Sequence, residues 1–210
     1  MITTSEIRQL EESCGVSKLQ LMGNAGRGIY NALKERFPDL KDKRILVAAY
    51  HGNNGGDGFV AARHLCDDSE TDILFIGDES RFKEEARVNY ARIKKNNRIQ
   101  LFSQPEDIIF DDYDIIIDAL LGTGTAGNLK EPIASVVGHI NGSRAFKVSV
   151  DVPTGINPDT GESSNIWVNP DLIIALHDLK HGLVRFKDKA VIVDIGIKMG
   201  DSDGASQLGR

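Results

Sequence analysis

Most of the side chains in this sequence that could do chemistry lie in three polar, glycine-bearing segments. The first is Asn53-Asn54-Gly55-Gly56-Asp57-Gly58, which puts two carboxamides and a carboxylate in one short run. It follows an apolar stretch, Arg44 to Tyr50, that reads as a buried parallel strand, and it precedes Phe59 to Leu65, which reads as the opening of a helix. A turn of this kind leaves backbone N–H groups unpaired at a helix N-terminus, where the macrodipole favours anions. Its glycines let a ligand approach the main chain closely, so it is a place to hold a phosphate or a nucleotide. Neither G-x-G-x-x-G nor the Lys-Ser/Thr of a P-loop is present. An Asn or Asp helix cap would account for one of the three polar side chains and leave the others unexplained.

The second segment runs from Asp118 through Gly122-Thr123-Gly124-Thr125-Ala126-Gly127-Asn128, and its amides and hydroxyls suit a pyrophosphate or ribose. Read alone, it is equally a glycine-rich surface loop. Asp118 interrupts an otherwise apolar strand, Asp114 to Leu121. A buried carboxylate is costly unless it is paired, hydrogen-bonded or bound to a cation, although a cap or turn role is the alternative. Asp151 poses the same question at the start of the third segment, Asp151-Val152-Pro153-Thr154-Gly155. With the Asn54 carboxamide and the Thr154 oxygens, Asp118 could form an all-oxygen site for a hard cation. One carboxylate among neutral oxygens suits a monovalent ion better. That leaves Asp57 and Asp151 for ligand binding or proton transfer.

The elements that must position these residues alternate between helix and strand. Thr3-x-x-Glu6 and Ser17-x-x-Gln20 are capping-box patterns that open two amphipathic helices, the second ending near Phe37-Pro38. Gly23, Gly26 and Gly28 on the second helix suggest close packing or ligand approach. Strands are expected at Arg44 to Tyr50, Thr71 to Gly77, Ile99 to Phe102, Asp114 to Leu121, Ala145 to Val152, Asp171 to Leu176 and Ala190 to Ile195. Helices are expected at Arg81 to Lys95 and Pro132 to Ile140. The basic cluster Arg92, Lys94, Lys95 and Arg98 reads as a solvated helix end. This pattern predicts an α/β fold with a mostly parallel sheet covered on both faces, and antiparallel additions near the C-terminus. In such folds ligands bind outside the carboxyl ends of the strands, so the three segments should converge on one site.

A length of 210 residues suits one domain, here residues 1–200, followed by a loose polar tail, residues 201–210. Hydrophobic content of 40% and charge of 27% are those of a soluble globular protein, and a net charge of −6 argues against a general nucleic-acid or membrane surface. Any anion must therefore be held locally. Cys14 and Cys66 form no metal or disulfide pattern, and neither a span of about 18 apolar residues nor a secretion signal is seen, so a cytoplasmic location is expected.

The first two segments, with Ser149-Val150-Asp151-Val152-Pro153-Thr154-Gly155-Ile156, resemble the three signature segments of the NAD(P)H-hydrate epimerases, the YjeF N-terminal domain family. Leu21-Met22 with Asn24-Ala25-Gly26, Asp159-Thr160-Gly161-Glu162, and Lys180 with Gly182 add to the likeness, which spans about residues 5–197. The resemblance implies a three-layer αβα Rossmann-like sandwich, usually a homodimer. It implies an isomerase that interconverts the R and S epimers of hydrated NADH and NADPH. That repair step feeds a separate ADP- or ATP-dependent dehydratase that accepts only the S form. By the family pattern, Asn53 to Asp57, Gly122 to Asn128 and Asp151 contact the hydrated nucleotide. Asn54, Asp118 and Thr154 match its potassium positions, one ion per subunit.

The chemistry so implied is reversible loss of the C6 hydroxyl, with the ring nitrogen's lone pair forming a conjugated iminium. It needs a proton donor for the leaving oxygen and a base for water returning on the other face. Asp151 is the first candidate for acid and base, Asp57 the second, and Lys180 an electrostatic helper. The sequence departs from the family pattern at Tyr50-His51, where a glycine is usual, at Gly23, usually glutamate, and at Ile173 and Ala175, usually threonines. The last two are either neutral repacking or a reshaped nicotinamide pocket. His51 reads as a loop histidine. A non-catalytic nucleotide-binding module acting through protein contacts is the alternative function. Another nucleotide-dependent enzyme, such as a dehydrogenase, fits less well because the dinucleotide fingerprint is missing.

Overall fold

The computed structural model describes residues 1–124 and 127–197. Helix α1 (Thr4–Ser13) opens with the expected box, in which the Thr3 hydroxyl accepts from Glu6 N and the Glu6 carboxylate accepts from Thr3 N. Helix α2 (Lys18–Arg36) is capped by the Ser17 hydroxyl and stops at Phe37, before Pro38. Strand β1 (Arg44–Ala49) then leads into α3 (Asn53–Leu65), β2 (Glu70–Phe75), α4 (Glu84–Ile93) and β3 (Gln100–Phe102). Next come β4 (Ile115–Ala119), α5 (Ile133–Gly142), β5 (Phe146–Val150), β6 (Leu172–Leu176) and β7 (Ala190–Val193).

These strands form one sheet in the order β3-β2-β1-β4-β5-β6-β7, and every pairing is parallel. The expected antiparallel additions are absent among the described strands. Residues 177–189, most of them in a 3₁₀ helix at His181–Lys189, return the chain to the same end of the sheet. A connection of about a dozen residues is enough for a parallel crossover without an α-helix. Alternate residues along the strands face opposite sides of the sheet. Ile45, Val47 and Ala49 of β1 meet the α2, α3 and α4 side, whereas Leu46 and Ala48 meet the α5 side. Both faces are thus covered, giving three layers, and each fully buried aliphatic side chain contributes about 2 kcal/mol of transfer free energy.

The largest departure from expectation is the start of α3. The glycine-rich segment was expected to be a turn before a helix at Phe59, yet it is itself the first turn and a half of that helix. Glycine is a poor helix former, and here close approach outweighs propensity. A Cβ on Gly55 would lie 1.8 Å from the Tyr50 carbonyl oxygen, one on Gly56 would lie 2.4 Å from Met22 Cε, and one on Gly58 would lie 2.7 Å from Ala119 Cβ. The glycines of α2 divide. Gly26 packs against Val60 and Gly28 against Val193, while a Cβ on Gly23 would meet nothing within 4 Å.

Candidate active site at the carboxyl ends of β1, β4 and β5

Because β1, β4 and β5 are neighbours in the sheet, the three segments that follow them meet at one rim. Helix α3 makes its first internal hydrogen bond from Gly56 N to Gly52 O, so the N–H groups of Asn53, Asn54 and Gly55 have no intrahelical partner. Asn53 is exposed at the rim and Asn54 is buried. The Asn54 amide donates to the Leu121 carbonyl at 3.1 Å, which ties this helix start to the loop after β4. Gly122 packs beside the same carboxamide.

Asp118 is fully buried and accepts four hydrogen bonds. One oxygen receives the Thr154 hydroxyl at 2.6 Å and Leu120 N at 3.3 Å, and the other receives Thr154 N and the Ser149 hydroxyl, each at 2.9 Å. Burial raises this carboxyl above the ordinary aspartate range, and the Thr154, Ser149 and Leu120 donors oppose the shift. Asp118 therefore has the turn-capping role and also joins two loops. Leu121 N completes the link by donating to the Thr154 hydroxyl at 3.0 Å.

Asp151, the residue after β5, lies in the left-handed region at φ 63°, a conformation that costs a non-glycine residue about 1 kcal/mol or more. The backbone there accepts that cost because its neighbours fix the carboxylate. One Asp151 oxygen accepts from the Lys180 ammonium and from Leu176 N at 3.1 Å. Lys180 is 1% exposed, and its ammonium also donates to the carbonyls of Leu176 and Asp178, at 2.8 and 3.3 Å. All three of its donors are used.

Asp57 projects from α3 into the same region and is buried. Desolvation pushes its carboxyl well above the ordinary range, and the charges of Asp151 and Glu11 push it further, against a smaller opposing pull from Lys180. Glu11, half-buried on α1, is likewise raised by burial and then by Asp151. The site is thus a group of coupled carboxyls served by one buried ammonium.

Other expected residues fall less centrally. Thr123 is partly buried, while Gly124, Gly127 and Asn128 are exposed. The Gly127 carbonyl accepts from the Ser164 hydroxyl at 2.8 Å, drawing that end of the loop toward residues 164–165. Thr125 and Ala126 lie outside the described residues, as does the tail at 201–210. His51 has a structural partner after all, since its Nδ1 accepts from Asp78 N at 3.2 Å and its ring lies against Tyr50. Ile173 and Ala175 are fully buried in an apolar cluster with Val152, Ile156 and Leu183, which agrees with neutral repacking. Sequence reasoning missed Ser149 as a donor to Asp118 and Glu11 as a coupled acid. Ser149 lay two residues before Asp151 in a motif already singled out. Glu11 carried no signal beyond the polar side of a helix.

The proposed potassium ligands do come together. Asn54, Asp118 and Thr154 are linked through the Leu121 backbone; the Asp118 carboxylate, the Thr154 hydroxyl and the Leu121 carbonyl bring oxygens together, while Asn54 turns its amide nitrogen to that carbonyl. That chemistry fits a hard monovalent cation. Since Asp118 already accepts four donors, an ion would share in its compensation rather than provide all of it. Among the described residues no three His, Cys, Asp or Glu side chains gather into a metal-binding group.

Comparison with known proteins places the chain in a family. The family described as YjeF-related protein N-terminus matches residues 18–182. A protein of Nitrosopumilus maritimus named NAD(P)H-hydrate epimerase is 34% identical over 192 residues, covering 89% of each chain. One of the same name from Cenarchaeum symbiosum is 35% identical, again covering 89% of each. The bifunctional NAD(P)H-hydrate repair enzyme Nnr of Archaeoglobus fulgidus is 39% identical over 93% of this chain, which spans 41% of that longer protein. Among solved structures, a yeast protein, ynu0, superposes with a TM-score of 0.80 at 24% identity, covering 91% of this chain and 86% of its own, and so shares the fold.

Proposed function

The chain belongs to the YjeF-related N-terminal family, and on that premise we propose that it is an NAD(P)H-hydrate epimerase, interconverting the R and S forms of hydrated NADH and NADPH. The observation that carries the reading is the meeting of two carboxyls of unlike environment, Asp57 and Asp151, beside the N–H groups at the start of α3 that have no intrahelical partner. A pair whose surroundings separate its members is how one site supplies both an acid and a base. A module acting only through protein contacts has no use for such a pair, so the enzyme is the better reading.

In this scheme the nucleotide's phosphates lie toward the start of α3, and the hydrated ring lies between the carboxyls. Asp57, whose carboxyl burial pushes well above the ordinary range, gives its proton to the C6 hydroxyl as the C–O bond breaks and the ring nitrogen's lone pair forms the iminium. Water then adds to C6 on the opposite face, and Asp151 takes the proton it releases. The reverse direction exchanges the two roles. This ordering promotes Asp57 over Asp151 as donor, because Asp151 is tied to Lys180 and Leu176 N. Lys180 orients Asp151 and offsets the negative charge left on Asp57.

We further infer a bound potassium ion on Asn54, Asp118 and Thr154, which when present would hold the loops after β1, β4 and β5 together without taking part in proton transfer. The names of the bifunctional relatives support a functional link to a dehydratase. A homodimer and a cytoplasmic location remain part of the proposal. Among the described residues no helix is long and apolar enough to cross a membrane. The test supplies mixed R and S hydrates with a dehydratase acting on S alone. All hydrate should be consumed when this protein is added, and faster with potassium than with sodium. Consumption that halts at the S fraction would refute the assignment.

A further inference from the structure

A second concave site lies away from the strand ends, between α2, α3 and α4. It is a cavity of about 170 Å³ whose walls carry Arg27, Arg63 and Arg92 and no aspartate or glutamate. That is a concentration of positive charge in a chain whose net charge is −6. We propose that this cavity binds a phosphate group, held by the three guanidiniums.

Among the described residues none of these arginines forms an ion pair. Asp67, the carboxylate whose charge bears on both Arg63 and His64, is engaged by Arg98 at 2.8 Å. Arg63 and Arg92 instead converge on a single neutral oxygen, donating to Asn89 Oδ1 at 3.1 and 3.2 Å. Asn89 is 1% exposed, and its amide nitrogen is fixed by the Glu85 carbonyl at 2.9 Å. Two like charges on one neutral acceptor repel each other, and each guanidinium keeps further donors for a ligand. Burial and Arg92 together lower the basicity of Arg63, as an uncompensated cluster requires.

The forked donors of arginine match a tetrahedral oxyanion. The volume holds such a group together with several waters. Gly23 keeps the α2 wall open, since a side chain there would meet nothing within 4 Å. Arg63 lies six residues beyond Asp57 on α3, about 9 Å along the axis, so the cavity is separate from the acid–base site. Arg92 is thus part of a cavity wall rather than only a solvated helix end.

The test is calorimetric titration of the full chain with sodium phosphate at constant ionic strength, with sodium chloride as the control. One saturable site is expected, with a melting temperature that rises with phosphate and not with chloride. Arg92→Met, at an exposed position, should weaken binding about tenfold or more, the loss of a charge-assisted hydrogen bond. Gly23→Glu, which places a carboxylate in the open space, should abolish it and raise the melting temperature without phosphate. A parallel titration with AMP identifies the source. AMP heat lost in Gly23→Glu means that a nucleotide's phosphate enters the cavity. AMP heat retained belongs to the strand ends, leaving free phosphate as the cavity's ligand. Phosphate binding no stronger than chloride binding, or insensitive to both substitutions, overturns the proposal. No readout uses turnover, so the result is independent of the epimerase reading.

Discussion

Replacing Lys180 by methionine removes the single ammonium that serves the carboxyl group, with little change in side-chain volume. In the native protein that ammonium makes three hydrogen bonds while almost wholly out of water. Without it the Asp151 carboxylate keeps only Leu176 N on the oxygen now paired, and the Leu176 and Asp178 carbonyls each lose a donor. Breaking a buried ion pair from one side costs about 3–5 kcal/mol. For a chain of this size that is a fall in melting temperature of roughly 6–20 °C, at about 2–4 °C per kcal/mol. Asp151→Asn, which strands the ammonium instead, should cost a similar amount. The double variant should cost clearly less than the sum, with an interaction energy of about 2–3 kcal/mol, because neither partner is then left buried and alone. Chemical denaturation of wild type, both single variants and the double variant measures each quantity. If Lys180→Met unfolds within about 1 kcal/mol of wild type, or the cycle is additive within about 0.5 kcal/mol, the pair does not hold Asp151 and its positioning role is wrong.

Asp57→Asn should stabilise the protein at neutral pH while abolishing epimerase turnover. The Asp57 carboxyl is raised in the fold, so its contribution is fully present below the unfolded value near 3.8 and is lost as pH rises through the higher folded value. Stability followed by denaturation from pH 4 upward should fall less steeply in the variant, and an unchanged slope would count against a buried neutral Asp57. Gly55→Ala should cost about 3 kcal/mol, because its Cβ would meet the Tyr50 carbonyl at 1.8 Å, whereas Gly23→Ala should gain about 0.5–1 kcal/mol in open space, a contrast that urea titrations resolve. Exchange of potassium for sodium should lower the melting temperature of wild type and leave that of Thr154→Val unchanged, as read by thermal unfolding in matched salts.

The extent of legible fold can be judged from particular elements. The capping boxes at Thr3 and Ser17 and the apolar run from Arg44 are local signals, and their elements formed within a residue or two of expectation. The beginning of α3 was hidden, because three glycines within four residues argue against a helix until the Tyr50 carbonyl, Met22 and Ala119 are seen to exclude any side chain there. The direction of β7 was hidden too, since a short connection can return the chain in either sense.

For the site, residue types and their order sufficed to single out Asn54, Asp57, Asp118, Asp151 and Thr154, because a carboxylate in an apolar strand or a run of polar residues among glycines is anomalous by itself. Their division of labour was a matter of packing. Only the fold sets Lys180 against Asp151, encloses Asp118 with four donors, and brings Glu11 from the first helix close enough to push the Asp57 carboxyl further up. Burial and long-range charge depend on what surrounds a group in space, and most of those surroundings are far away along the chain. Sequence named the acids; tertiary structure decided which of them are buried and what faces them.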